Sequence, residues 1–160
     1  MRKPAHPIAL EASDVEGRRG TIYPKPFDAG FENRIKRALG DEFGLTQFGV
    51  NLVTLEPGAM SAQRHWHARE DEFVYVLEGT ITLITDEGET ELVPGMAAGF
   101  PAGEANGHHL VNRFGEPVSY LEVGTRSQAD EVDYPDVDMK AENVNGSWRI
   151  TRKDGTSFDE

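Results

Sequence analysis

Residues Arg64 to Gly79 read RHWHAREDEFVYVLEG, and two patterns sit side by side in them. In the first half, His65 and His67 stand one residue apart, with Glu72 five positions further on. Side chains at i and i+2 of an extended strand share a face, so the two imidazoles point at one spot while Trp66 points away. Imidazole nitrogens aimed at a common point predict a metal ion, with the Glu72 carboxylate as an oxygen donor. In the second half, Glu72, Val74 and Val76 share one face and Phe73, Tyr75 and Leu77 the other, so both faces are largely apolar. One face can line the inside of a barrel. The other needs a cover, from a helix, an arm or a second subunit, and a homodimer is the expected form.

Outward from this stretch the same texture continues. Short β-rich runs (FGVNLVTL from Phe48, TITLITD, TELVPGM, HHLVNRFGEP, VSYLEVG) alternate with turn residues, which points to an all-β sandwich or barrel over residues 48–125. Residues 1–47 read differently. Up to about Pro26 they are rich in Pro, Gly and charge, with at most a short strand near Thr21 to Tyr23, and they read as an arm over the body. Phe27, Phe31, Ile35 and Leu39 then recur every four residues ahead of Gly40, so the spacing predicts one helix from Asp28 to Leu39 packing on the sheet. Residues 126–160 open with the acidic run QADEVDYPDVD and end with SWRIT and an Asp154-Gly155 turn signal. They predict an extension of the same domain with a terminal strand or hairpin, Trp148 capping the core.

Composition narrows the function. The 160 residues suit one domain with its own core. With no cysteine, disulfides, thiolate metal sites and cysteine nucleophiles are excluded, and imidazole and carboxylate remain as metal donors. Twenty-eight acids against 16 bases give a net charge of −12, which repels nucleic-acid phosphates and anionic membranes. A small molecule is the expected partner, and the cytoplasm the expected compartment, since no apolar run suits a signal peptide or a membrane span.

A second histidine cluster completes the first. His108 and His109 follow GFPAGEANG, so four of the five histidines fall in two short segments. Either of the pair could complete a site of three histidines and one carboxylate.

At these residues the chain resembles the cupin superfamily. Its first motif is matched by Gly58, His65, His67, Glu72 and Gly79, with one extra residue in the first spacer. Its second is matched by Gly95, Pro101, Gly103, His108 and Asn112, with two extra residues before the histidine. The three-residue step to Asn112 selects His108 over His109. The resemblance implies a small cupin β-barrel (a double-stranded β-helix, or jelly roll) holding one divalent ion, Mn, Fe, Ni or Zn, on His65, His67, Glu72 and His108. The tail, YPDVDM followed by Trp148 and TRKDGT, is similar to a subgroup of single-domain bacterial cupins provisionally labelled sugar-phosphate isomerases.

Four protein ligands on an octahedral ion leave two positions on one side, enough for a substrate with two adjacent oxygens. Sugar or sugar-phosphate isomerisation is then the first expectation and a metal-dependent dioxygenase the second. A cupin that binds a small molecule without turnover is the third. Arg64, Arg69, Asn112 and Arg113 flank the motifs and are the candidate substrate-binding residues, the arginines as bidentate donors to phosphate or carboxylate. No spacing of Ser, His and Asp suggests a nucleophilic triad.

Overall fold

The computed structural model describes residues 2–159. Twelve strands dominate it. A five-stranded antiparallel sheet has the order β1 (Arg34–Ala38), β2 (Phe48–Leu55), β9 (Val118–Thr125), β4 (Glu72–Glu78), β7 (Ala97–Phe100). Facing it is a three-stranded sheet of β6 (Gly88–Leu92), β5 (Ile81–Thr85) and β8 (His109–Val111). A third sheet joins β12 (Ser147–Thr151), β11 (Lys140–Val144), β10 (Glu131–Asp133) and β3 (Trp66–His67).

Strand parity explains the barrel core. Residues in register share a face, so Val74, Glu122, Asn51 and Ala38 form one inward row, and Val76, Tyr120, Val53 and Lys36 the next. The apolar members of these rows meet Ile81, Leu83, Leu92 and Leu110 from the opposite sheet in one buried cluster. Burial of each such side chain contributes about 1.5–3 kcal/mol. The motif residue Gly79 turns the chain from β4 to β5 at φ +79°, and a Cβ there would lie 2.7 Å from the Pro117 carbonyl oxygen, so glycine is required.

The outward row of β4 is open. Phe73, Tyr75 and Leu77 are 43%, 39% and 40% exposed in the single chain, whereas Val74 and Val76 are buried. Among the described residues no helix covers them, because the helix predicted over Asp28 to Leu39 does not form. Phe31 to Asn33 make a 3-10 turn, Arg34 to Ala38 are β1, and among the described residues only Leu39–Glu42 are α-helical (α1). The four-residue repeat has another cause. Phe27 packs among the terminal segments, Phe31 is fully buried at the turn, and Ile35 alternates with Arg34 and Lys36 on a strand whose bonds go to β2. Pairing with the next strand outweighs a local helical pattern.

Both ends of the chain differ from expectation in a second way. The arm holds no strand at Thr21 to Tyr23; its one β contact is the bridge between Arg18 and Lys36. The C-terminal residues form a hairpin, β11 to β12, turning at Asn145-Gly146 instead of Asp154-Gly155. Val132, Tyr134, Met139 and Ala141 then form a second buried cluster, against which Tyr23 and Phe27 from the arm and Ile150 and Phe158 pack. Trp148 does not cap a core: it is 40% exposed and lines a cavity. Its alternate partner on the strand, Ile150, faces the same way.

Candidate metal centre

The three sheets meet around one cluster of side chains. His67 sits in β3, registered with Val132 of β10, while His65 forms an antiparallel bridge with His108 just ahead of β8. Glu72 opens β4 on its inward face. Three imidazole Nε2 atoms converge on its carboxylate: His108 at 2.5 Å and His65 at 3.5 Å from Oε2, and His67 at 3.1 Å from Oε1. Ligand atoms of His65, His67 and Glu72 all lie within 4.8 Å of one another. His108 joins them through Glu72.

The opposite nitrogens fix the tautomers. His65 Nδ1 donates to the Gln63 carbonyl at 2.8 Å, and His67 Nδ1 donates to Asp130 Oδ2 at 2.6 Å. Asp130 is fully buried, and its other oxygen accepts the Arg69 backbone N–H at 2.8 Å. A neutral imidazole protonated at Nδ1 presents a lone pair at Nε2. Lone pairs on neutral His65 and His67 would face an acceptor-only carboxylate, an arrangement that repels unless a proton or a metal cation lies between them. A metal ion fits this donor set, and outer acceptors on ligand histidines are what such an ion needs.

The electrostatics agree. Burial disfavours a charged His67, but hydrogen bonds to Asp130 and Glu72 outweigh it and hold its pKa up to about 10. Burial likewise opposes charge on Glu72, yet its contacts with His108, His65 and His67 hold the carboxyl well below the usual range. The cluster is built to keep positive charge beside Glu72. His108 is held down by burial; its ring stacks on Phe100 with centroids 3.6 Å apart and planes 3° apart, and its Nδ1 is buried without a partner among the described residues.

A cavity of about 500 Å³ opens against His65, His67 and Glu72. Its other walls come from the arm, β1, β9 and the C-terminal extension, including Tyr23, Arg34, Lys36, Glu122, Tyr134 and Trp148. That volume suits a small metabolite. A second opening of about 320 Å³ reaches the cluster from the side of Glu70, Phe100 and His108.

The sequence-predicted residues fall into two groups. His65, His67, Glu72 and His108 come together as described, while His109 turns away and its Nδ1 meets the Ala62 carbonyl at 2.9 Å. The four candidate substrate contacts do not reach the 500 Å³ cavity. Arg64 is held by Asp86 and by both oxygens of Asp136, and also donates to the Gly107 carbonyl. Asn112 is buried, its amide nitrogen donating to the Leu55 and Glu116 carbonyls. Arg113 pairs with Glu89 at 2.5 Å, and Arg69 is exposed. Placement beside a motif in sequence did not put these side chains on its inner face. The cavity residues that sequence reasoning missed are Arg34, Lys36, Glu122 and Tyr134, with Asp130 behind His67. Glu122 alone carried a usable signal, since it alternates with Val118 and Tyr120 in VSYLEVG.

The Cupin domain family matches residues 51–124. A crystal structure from Silicibacter pomeroyi, described as a sugar phosphate isomerase from a cupin superfamily, is 46% identical, with 94% of this chain and 96% of that one covered and a TM-score of 0.90. A protein from Acidithiobacillus ferrooxidans, provisionally named a sugar phosphate isomerase, is 33% identical over 90% of this chain and 91% of its own, with a TM-score of 0.79. The polyketide cyclase RemF from Streptomyces resistomycificus is 28% identical over 78% and 80% of the two chains, with a TM-score of 0.59. No protein of curated function matches the sequence.

Proposed function

Because the chain belongs to the cupin superfamily, we propose that His65, His67, Glu72 and His108 hold one divalent metal ion. The cavity beside them then binds a small oxygenated metabolite, with interconversion of a sugar phosphate as the reaction. The observation that carries the reading is the convergence of imidazole Nε2 atoms on Glu72 while His65 and His67 anchor their Nδ1 atoms outward. The two relatives named for sugar phosphate isomerisation support the choice of reaction.

A divalent ion supplies Lewis-acid stabilisation of negative charge developing on substrate oxygens. The chain's own groups do the rest. Asp130 keeps His67 in one tautomer and orientation. Glu122, held by Lys36 at 3.1 Å and by the Asn51 amide at 3.0 Å, is the cavity carboxylate placed to take and return a proton. Burial opposes its charge, but Lys36 outweighs burial and its pKa is lowered, so the carboxylate is held ionised. Tyr23 and Tyr134, in edge contact at 5.6 Å, limit water on the arm side.

Purification without chelator followed by elemental analysis tests the ion: about one per chain is expected, falling sharply in His67→Ala. An NMR assay of metal-loaded protein over a panel of sugar phosphates tests the reaction. Oxygen uptake dependent on ferrous iron, or binding without turnover, would replace isomerisation by the other two chemistries. A homodimer closing over Phe73, Tyr75 and Leu77 belongs to the same reading, and Tyr75→Lys is expected to shift the particle to monomer mass in light scattering. Among the described residues, no helix is long and apolar enough to cross a membrane.

A further inference from the structure

One wall of the large cavity is cationic, against the chain's net charge of −12. Side chains alternate along β1, so Arg34, Lys36 and Ala38 share the face that lines the cavity. The bridge between Arg18 and Lys36 brings Arg18 onto that face as well. Two carboxylates line the same space, Glu72 and Glu122. Glu72 belongs to the histidine cluster, and Glu122 is matched by Lys36.

Arg34 and Arg18 carry charge that no acid answers. Among the described residues, no carboxylate lies within ion-pair distance of either guanidinium. Arg34 is oriented without being neutralised: Nη1 donates to the Ser61 carbonyl at 2.6 Å and Nη2 to the Gly20 carbonyl at 2.8 Å. Its guanidinium carbon lies 5.0 Å from the centre of the Phe31 ring, and its Nε is buried with no partner among the described residues. Neutral dipoles and an aromatic face thus fix a guanidinium in place and leave its charge free for something that enters the cavity.

We propose that Arg34 and Arg18 form an oxyanion subsite that takes the phosphate of the substrate. The proposal rests on the reading above, in which the reacting oxygens lie at the histidine–glutamate end of the same cavity. A planar, permanently charged fork is suited to phosphate oxygens, and Arg18, exposed and unpaired, can meet the anion without breaking an existing bond. A clamp that merely ties the arm to the Ser61 loop would orient Arg34 equally well but would bind no anion.

The test is calorimetric titration of chelator-treated, metal-free protein with inorganic phosphate, with acetate and glucose as separate arms. Saturable phosphate binding is expected, weakened about tenfold in Arg34→Gln and several-fold in Arg18→Gln, and unchanged in Arg113→Gln. Glucose is expected to give no heat, and acetate to bind more weakly than phosphate. Absent binding by folded wild-type protein, or equal affinity in the Arg34 and Arg18 variants, overturns the subsite; acetate binding more tightly overturns its assignment to phosphate. Should Arg34→Gln fail to fold, Arg18→Gln decides alone. Metal content measured on untreated wild type reports on the ion separately, so a protein without metal that still binds phosphate through Arg34 would defeat only the metal reading.

Discussion

The barrel core and the terminal core differ in how their members are spaced along the chain. The barrel core draws on residues 53 to 120, the middle of the chain, whereas the terminal core joins Tyr23 and Phe27 to residues from Val132 onward, across the whole barrel. Glu72 is presented by the barrel, His65 and His108 bridge one another beside it, and His67 lies on β3, where the terminal sheet joins. The terminal core supplies Asp130 behind His67 and, with the arm and β1, most of the facing cavity wall. The middle of the chain therefore presents most of the candidate ligand cluster, and closure of the two ends completes the space in front of it.

Four changes would break or sharpen that contrast. Leu55→Ala, at a fully buried barrel position, is expected to lower stability by about 2–5 kcal/mol in urea denaturation, with both cores lost in one transition. Met139→Ala, equally buried among the terminal residues, is expected to cost about 2–3 kcal/mol. Hydrogen exchange should show where that cost falls: faster exchange confined to β10 to β12 means the two cores open separately, whereas uniform loss of protection erases the distinction. Asp130→Asn keeps the shape but removes the carboxylate that orients His67, and should weaken metal affinity about 10–100-fold by competition titration, with the fold retained.

The smallest effect concerns the seam. Arg64 ties the β5–β6 turn, through Asp86, to the loop after β10, through Asp136, and its hydrogen bond to Asp136 lowers that carboxyl's pKa. A depressed carboxylate contributes stability above its unfolded pKa of about 3.9, and the contribution is lost as pH falls through the lower folded value. Asp136 is largely exposed, so the contribution is a few tenths of a kcal/mol. The difference between wild type and Asp136→Asn should be constant near neutral pH and vanish in strong acid, as read by urea midpoints.

Legibility in the sequence followed the same division. Glu72, Val74 and Val76 could be put on one face, and His65 and His67 aimed at one point, because both inferences need only the two-residue period of a strand. His108 was separable from His109 once the spacing to Asn112 was considered, and the structure does turn His109 away. The segment from Asp28 to Leu39 was misread because its partner, β2, is supplied by the fold and not by the local pattern. Asp130 lies in an acidic run that reads like any solvated stretch, and only burial sets it apart from Glu131 beside it. Arg34 and Lys36 were hidden by the same misreading: on a helix, side chains two positions apart do not share a face.

The walls of the large cavity come from both ends of the polypeptide, while the histidines and Glu72 come from its middle. On the proposed function, recognition and reactivity then draw mainly on different stretches of the gene. A lineage could, on that reading, exchange its terminal segments and change which molecule is admitted, provided that Asp130 behind His67 and Lys36 beside Glu122 are kept. An engineer could attempt the same by transplanting the two ends together, since Tyr23 and Phe27 pack against residues of the opposite terminus.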